Sequence, residues 1–218
     1  MPRLRQVSRA EADESVLPYY DRLFGDRDPV AEPGTATGTP GDWWTTYALS
    51  PHVFEHAVSH FGMFGMFSNE NVSTLPGDVR ELGILRAGYV AGSQFVFSQH
   101  CKAARKNGLS EEKIRDVTDW QVSDVYDENE RALLAYADAI VLERGRVSDG
   151  LFAAVKKALS DENILEFTYH VIGYVGHATM CRALKLEYDN VEERIREVPA
   201  PDGGGLAADW AGSAWNQD

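Results

Sequence analysis

Apolar residues fall at helical intervals in several stretches of this chain, and polar residues suited to capping stand at their starts. The clearest stretch is ENERALLAYADAIVLER, where Leu133, Leu134, Ala137, Ile140 and Val141 form one stripe. Asp127 to Glu130 opens it with capping-box spacing. Ser8 to Glu11 has the same spacing and predicts a helix running to about Phe24, with Val16, Leu17, Tyr20 and Leu23 on one face and Gly25 as its stop. Pro51 suits the first turn of a third helix. That helix carries Val53, Phe54, Ala57, Val58, Phe61 and Phe64 inward. Ser110, Ser148 and Ser160-Asp161 begin further helices, the last reaching about Leu184.

The segment from Pro76 to Leu109 reads as helix, short turn, helix. The break is Ala91-Gly92-Ser93, with Ser93 as N-cap of the second helix. Gly108 is a good left-handed stop, and Glu111 and Glu112 suit the positive end of the helix that follows. Residues 26–42 are rich in Pro, Gly and Thr without apolar period, which predicts a long loop, either a surface connector or a lid over a site. Residues 68–75 read as a second loop. Trp43 and Trp44 point in different directions on a helix, so at most one lines a given pocket. Residues 199–218 form a tail whose two tryptophans either dock on a neighbouring subunit or move freely. A single domain over residues 1–198 is expected, with about eight helices around an antiparallel pair. Gly173 to His177 echoes Gly88 to Ser93, which points to duplication of a helical unit.

Charge narrows the partners. With 21 basic and 34 acidic residues the formal net charge is −13. That disfavours nucleic acid, whose phosphates need a basic face, and anionic lipid for the same reason. The two cysteines, Cys101 and Cys181, make no CxxC, so a reducing compartment is expected. The first fifteen residues hold no apolar core of a signal peptide and no run approaches membrane-span length, so a cytoplasmic protein is expected.

Chemistry gathers in the central segment. Glu81 and His100 stand in otherwise apolar or small-residue surroundings, and imidazole titrates near neutral pH. Ser93, Val96 and His100 share a face of the second helix. Exposed amides at Ser93 and Gln94 would hold a carboxylate or a developing oxyanion. Tyr89 and Phe97 would line the same pocket, or simply pack. Cys101 points about 100° away from His100 on a helix, and reads either as a redox thiol or as a small buried hydrophobe. Asp78 and Glu81 have capping-box spacing, the plainer account of Glu81, and Arg86 suits a subunit interface. His52, His56 and His60 recur every four residues. His56 and His60 would suit a metal, but no HExxH motif or nearby acid completes a site, so no metal or other cofactor is expected.

Arg80-Glu81-Leu82, the apolar helix after it and His100 together resemble the carboxymuconolactone decarboxylase and alkyl hydroperoxidase D superfamily, whose peroxidase branch carries Cys-x-x-Cys-x-x-x-His. Lys106 to Lys113 resembles the family's helix end and restart. The likeness covers residues 75–120, and more weakly 40–75 and 125–190. Here the two cysteine positions read Ser93 and Val96, and the acid of the decarboxylase branch's aromatic-acid-Trp run is missing from Phe95-Val96-Phe97. The resemblance implies an all-α, AhpD-like fold and a homo-oligomer (trimer, dimer or hexamer). It also implies a pocket in which Glu81 and His100 do cofactor-free acid–base chemistry on a small lactone or organic acid. A thiol peroxidase relative and a non-catalytic small-molecule binder are the alternatives.

Overall fold

The computed structural model describes residues 1–36, 38–63, 72–192 and 195–198. The fold is all-helical. Among the described residues there are nine α-helices: α1 (Leu17–Phe24), α2 (Asp42–Tyr47), α3 (Pro51–Gly62), α4 (Gly77–Val90), α5 (Gln94–Lys106), α6 (Glu111–Asp116), α7 (Glu128–Leu142), α8 (Asp149–Ala158) and α9 (Asp161–Leu184). Short 3₁₀ turns cover Arg9–Glu11, Val117–Val122 and Glu187–Asn190. No described helix is long and apolar enough to cross a membrane.

The chain forms two compact units. The first takes the described residues of 1–72 and 181–192; the second takes those of 73–180 and 193–198. In the first unit every residue of α2 is buried. Trp43 stacks on Tyr47 with centroids 4.0 Å apart and meets Phe61 at 5.6 Å. The Tyr20 hydroxyl donates to the Val7 carbonyl at 2.9 Å, and the Val7 amide donates to the Thr45 carbonyl. The loop before α2 is folded on itself. Arg27 donates to the carbonyls of Phe24, Glu32, Pro33 and Gly34.

The second unit is built round α4, which is buried at every position from Arg80 to Gly88. A helix covered on all sides needs no apolar stripe, which is why its sequence shows none. Small residues let its neighbours close in. A Cβ on Gly83 would lie 2.6 Å from the Phe167 ring, and one on Gly88 would lie 2.8 Å from Val96. Helix α7 sits between two apolar clusters. Leu133 packs with Val155, Phe167 and Val171, while Leu134 packs with Leu82, Phe97 and Ile114.

Most predicted caps are present. Ser93 accepts from the Val96 amide, Ser110 from Lys113, Ser148 from Leu151, and Asp127 from Glu130 in a complete capping box. Gly108 has φ of +94°, the left-handed stop expected of it.

Five expectations need correction. Val53, expected to face inward from α3, is exposed, and the buried stripe is Phe54, Val58 and Phe61. The first helix does not run from Ser8 to Phe24. A 3₁₀ turn ends at Glu11, Ala12 is extended, and α1 starts at Leu17 because Pro18, without an N–H, fits only a first turn. Asp78 is not a helix cap. Helix α4 begins one residue earlier, after extended Pro76, and the Asp78 carboxylate accepts from the Val79 amide. Arg86 is an internal clamp. It donates to both Asp138 oxygens at 2.6 and 3.0 Å and to the carbonyls of Val117 and Thr118. The long loop ends at Gly41 rather than residue 42, since Asp42 is the first residue of α2. Phe64 and the tail 199–218 lie outside the described residues.

Candidate active site

Helices α4 and α5 lie against each other and bring Glu81 and His100 together. Glu81 Oε2 and His100 Nδ1 are 2.7 Å apart, and both residues are buried, at 2 % and 4 % exposure. Arg80, also buried, donates from Nε to Glu81 Oε1 at 3.0 Å, with Nη2 at the same distance. One carboxylate is therefore held by two cationic or hydrogen-bonding partners.

Burial by itself pushes the Glu81 carboxyl up. The charge and hydrogen bond of His100, joined by Arg80, outweigh it and leave Glu81 below the ordinary carboxylate value. An ionised Glu81 can only accept, so it accepts a hydrogen bond from His100 Nδ1–H. That fixes the neutral imidazole in the tautomer whose basic nitrogen is Nε2. Tyr174 of α9 stands edge-on to the imidazole, with centroids 4.4 Å apart, and limits how the ring can turn. Its phenol is pushed well up by burial and then by the Glu81 charge, so it stays protonated at neutral pH. His177, one turn further along α9, stacks on Tyr174 at 5.7 Å.

Other predicted site residues take different places. The Ser93 hydroxyl is occupied as N-cap, accepting from the Val96 amide at 3.1 Å, and Ser93 is fully buried. Gln94 is turned to residues 195–198, accepting from the Arg196 amide at 3.0 Å and donating to its carbonyl. Phe97 is buried in the cluster with Leu82 and Ile114, and Tyr89 lies against it at 5.8 Å. Arg86 lies over the Tyr89 ring at 5.6 Å. Cys101 is buried, and burial followed by the Glu197 charge pushes its thiol up, which disfavours the thiolate. Cys181 belongs to the first unit. His56 is exposed, His60 is half-buried, and no group of three metal-ligating side chains occurs among the described residues.

Sequence reasoning missed Tyr174 as part of the site. Its place on the long final helix becomes meaningful only once α9 packs beside α5. The contact of Gln94 with residues 195–198 was equally hidden, since it joins positions 102 residues apart.

The buried acid–histidine pair lies on an all-helical scaffold, with Arg80-Glu81-Leu82 inside α4. Residues 54–139 match the model of the carboxymuconolactone decarboxylase family. The solved structure of ATU0492 from Agrobacterium tumefaciens is described as a protein of unknown function and a candidate antioxidant defence protein AhpD. It matches with TM-score 0.55 and 26 % identity, over 64 % of this chain and 92 % of its own. The family model and this solved structure both support the likeness to the carboxymuconolactone decarboxylase and AhpD-like superfamily. An uncharacterised protein of Bacillus subtilis (strain 168), YdfG, is 28 % identical over 122 residues, 54 % of this chain and 83 % of its own. The debrominase Bmp8 shares the fold at TM-score 0.63 and 16 % identity, over 90 % of this chain and 92 % of its own.

Proposed function

We propose that the protein is a cofactor-free enzyme in which His100 moves a proton on a small lactone or organic acid, in a decarboxylation, isomerisation or elimination. The observation that carries this reading is the 2.7 Å contact between Glu81 and His100 Nδ1. It leaves Nε2 to take a proton from a carbon made acidic by an adjacent carbonyl. The imidazolium so formed is stabilised by the Glu81 carboxylate; in an isomerisation the same nitrogen returns the proton at the new position, in an elimination it gives it to the leaving group, and in a decarboxylation the imidazolium protonates the carbon that CO₂ has left. Arg80 keeps Glu81 ionised through the cycle, and Tyr174 holds the ring plane. Glu81, Arg80 and Tyr174 are positioning residues in this scheme.

A panel of small lactones and keto acids, followed by NMR for solvent deuterium entering the substrate, tests it. Exchange is expected with the wild type and should fall by about 10²–10⁴-fold in His100→Gln, the usual range for a lost acid–base group. Equal exchange by both proteins would leave a non-catalytic binder as the better account.

The AhpD-like structural neighbour motivates a peroxidase reading. Ser93 and Val96 at the two cysteine positions and the disfavoured Cys101 thiolate count against it. Peroxide consumption abolished by Cys101→Ser would restore it.

The proposal includes a homo-oligomer acting in the cytoplasm on a small molecule, without nucleic acid or membrane. An apolar face on α9 supports the self-association. Leu165, Tyr169 and Ile172 lie at i, i+4 and i+7 and are 72 %, 48 % and 55 % exposed. A second copy of the chain would cover them. Light scattering should report an oligomer for the wild type and a smaller species for Ile172→Lys.

A further inference from the structure

Helix α5 carries a second arrangement, on a different face from His100. Gln94, Ser98, Cys101 and Arg105 recur at i, i+4, i+7 and i+11. His100 lies about 100° round the helix from Cys101. Residues 195–198 lie along this face. The Gln94 amide reads both backbone groups of Arg196, and Ser98 Oγ accepts from the Val198 amide at 2.8 Å. The Gln94 amide also donates to Ser98 Oγ at 3.0 Å, so the two buried polar side chains are held in register. At the far end Arg105 grips Glu197 with two parallel hydrogen bonds of 2.6 and 2.8 Å. It also binds Glu111 at 2.5 and 2.9 Å.

Beside these residues is an open pocket of about 610 Å³, with Phe97, Cys101, Ile114, Ile195, Arg105 and Glu197 in its wall. That volume is in the range of small-molecule sites. Ile195 packs against the apolar cluster that contains Phe97, Cys101 and Ile114. The segment thus offers the pocket an apolar side chain and, two residues on, a carboxylate for a planar guanidinium. Bidentate Arg–carboxylate geometry is directional and selects a planar anion.

We propose that this face of α5 is a binding site for a small carboxylic acid with an apolar body, and that residues 195–198 occupy it as a displaceable strap. Glu197 stands where the ligand's carboxylate would bind and Ile195 where its body would pack. The strap is tethered, so it competes at high effective concentration and sets a threshold for the free ligand. The proposal is independent of the Glu81–His100 chemistry, because it uses other side chains and another face of the helix.

Benzoate is a suitable probe, with benzamide as its uncharged control. In full-length Cys181→Ser protein, N-ethylmaleimide labelling reports on Cys101 alone. Slow labelling is expected, and at least about tenfold faster labelling in Glu197→Gln, since a hydrogen-bonded charged pair is lost. Ile195→Ser should accelerate labelling too, without changing charge. Benzoate should bind Glu197→Gln about tenfold or more tightly than it binds the parent, slow the labelling of that variant, and lose both effects in Arg105→Gln. Benzamide should do neither. Unchanged labelling in both strap variants, with circular dichroism showing them folded, would overturn the strap. Failure of benzoate to bind or protect Glu197→Gln would overturn the ligand site.

Discussion

Glu81 and Glu187 are the same side chain, almost equally buried, at 2 % and 1 % exposure. Their environments are opposite. Glu81, in the second unit, faces the Arg80 guanidinium and the His100 ring and is held below the ordinary carboxylate value. Glu187, in the first unit, faces Asp42 and Asp189. Burial and then the Asp42 charge push it up to about 8, against the amides of Trp43 and Gly41, which donate to it and favour the charge. Asp42 returns the contact by accepting from the Glu187 amide at 2.5 Å, and burial pushes its own carboxyl up. Burial sets the size of the stake in both places, and the sign of the neighbour sets the direction. A carboxylate kept ionised beside an imidazole is equipped to steer proton transfer. One kept partly protonated beside another acid is equipped to respond to pH.

The largest effect should come from breaking the cationic surroundings of Glu81. Glu81→Leu removes the carboxylate that faces the buried Arg80 guanidinium and should cost about 3–5 kcal/mol, as removal of one member of a buried ion pair does. Urea unfolding measures it. A loss under about 1 kcal/mol would mean that water reaches the pair and that the burial argument fails. Next is the packing that holds the two helices together. Gly83→Ala meets the Phe167 ring and should cost about 1–3 kcal/mol by overpacking, read as a lower denaturant midpoint.

The contrast can be sharpened through pH. Glu187 has an ordinary value of 4.5 and is pushed up to about 8, so between these limits the folded chain holds a proton that the unfolded chain has released. The stability it contributes is full below 4.5 and lost as pH rises through about 8. Asp42, Asp189 and the buried Cys181 thiol face the same region. Glu81 behaves oppositely, contributing stability above its ordinary value of 4.5 that is lost as pH falls through its lower folded value. Melting temperatures should therefore fall as pH rises from 4.5 to about 8, and Glu187→Gln should flatten that limb while leaving the acid limb in place. An unchanged fall over that range in Glu187→Gln would show that the Asp42 pair is not the source. The smallest effect concerns a local device. Asp127→Ala removes one cap and should cost about 1 kcal/mol.

Local rules made much of the fold legible, and the reason is visible in particular residues. Ser93, Ser110, Asp127 and Ser148 each satisfy an amide three residues on, so the information lies within one turn. Pro18 carried the start of α1 and was outweighed by the capping pattern at Ser8. Helix α4 was legible from the turn at Ala91-Gly92-Ser93 that ends it rather than from a stripe, since a helix buried all round has no polar face. The Glu81–His100 pair was readable through its likeness to the family motif, since nothing in the stretch between these residues, 19 positions apart, fixes the angle at which α4 and α5 meet. Arg86 looked like an interface residue because its partner Asp138 lies 52 positions away. The Asp42–Glu187 contact, 145 positions apart, had no local signature.

The account rests on Glu81 holding the proton of His100 at Nδ1 so that Nε2 is the base. Nitrogen-15 NMR of the imidazole, on the alkaline side of its titration, tests this without a substrate. The account predicts a neutral ring protonated at Nδ1 and bare at Nε2, with that preference weakened in Glu81→Leu. A neutral ring carrying its proton on Nε2, or a preference unchanged by Glu81→Leu, would contradict it.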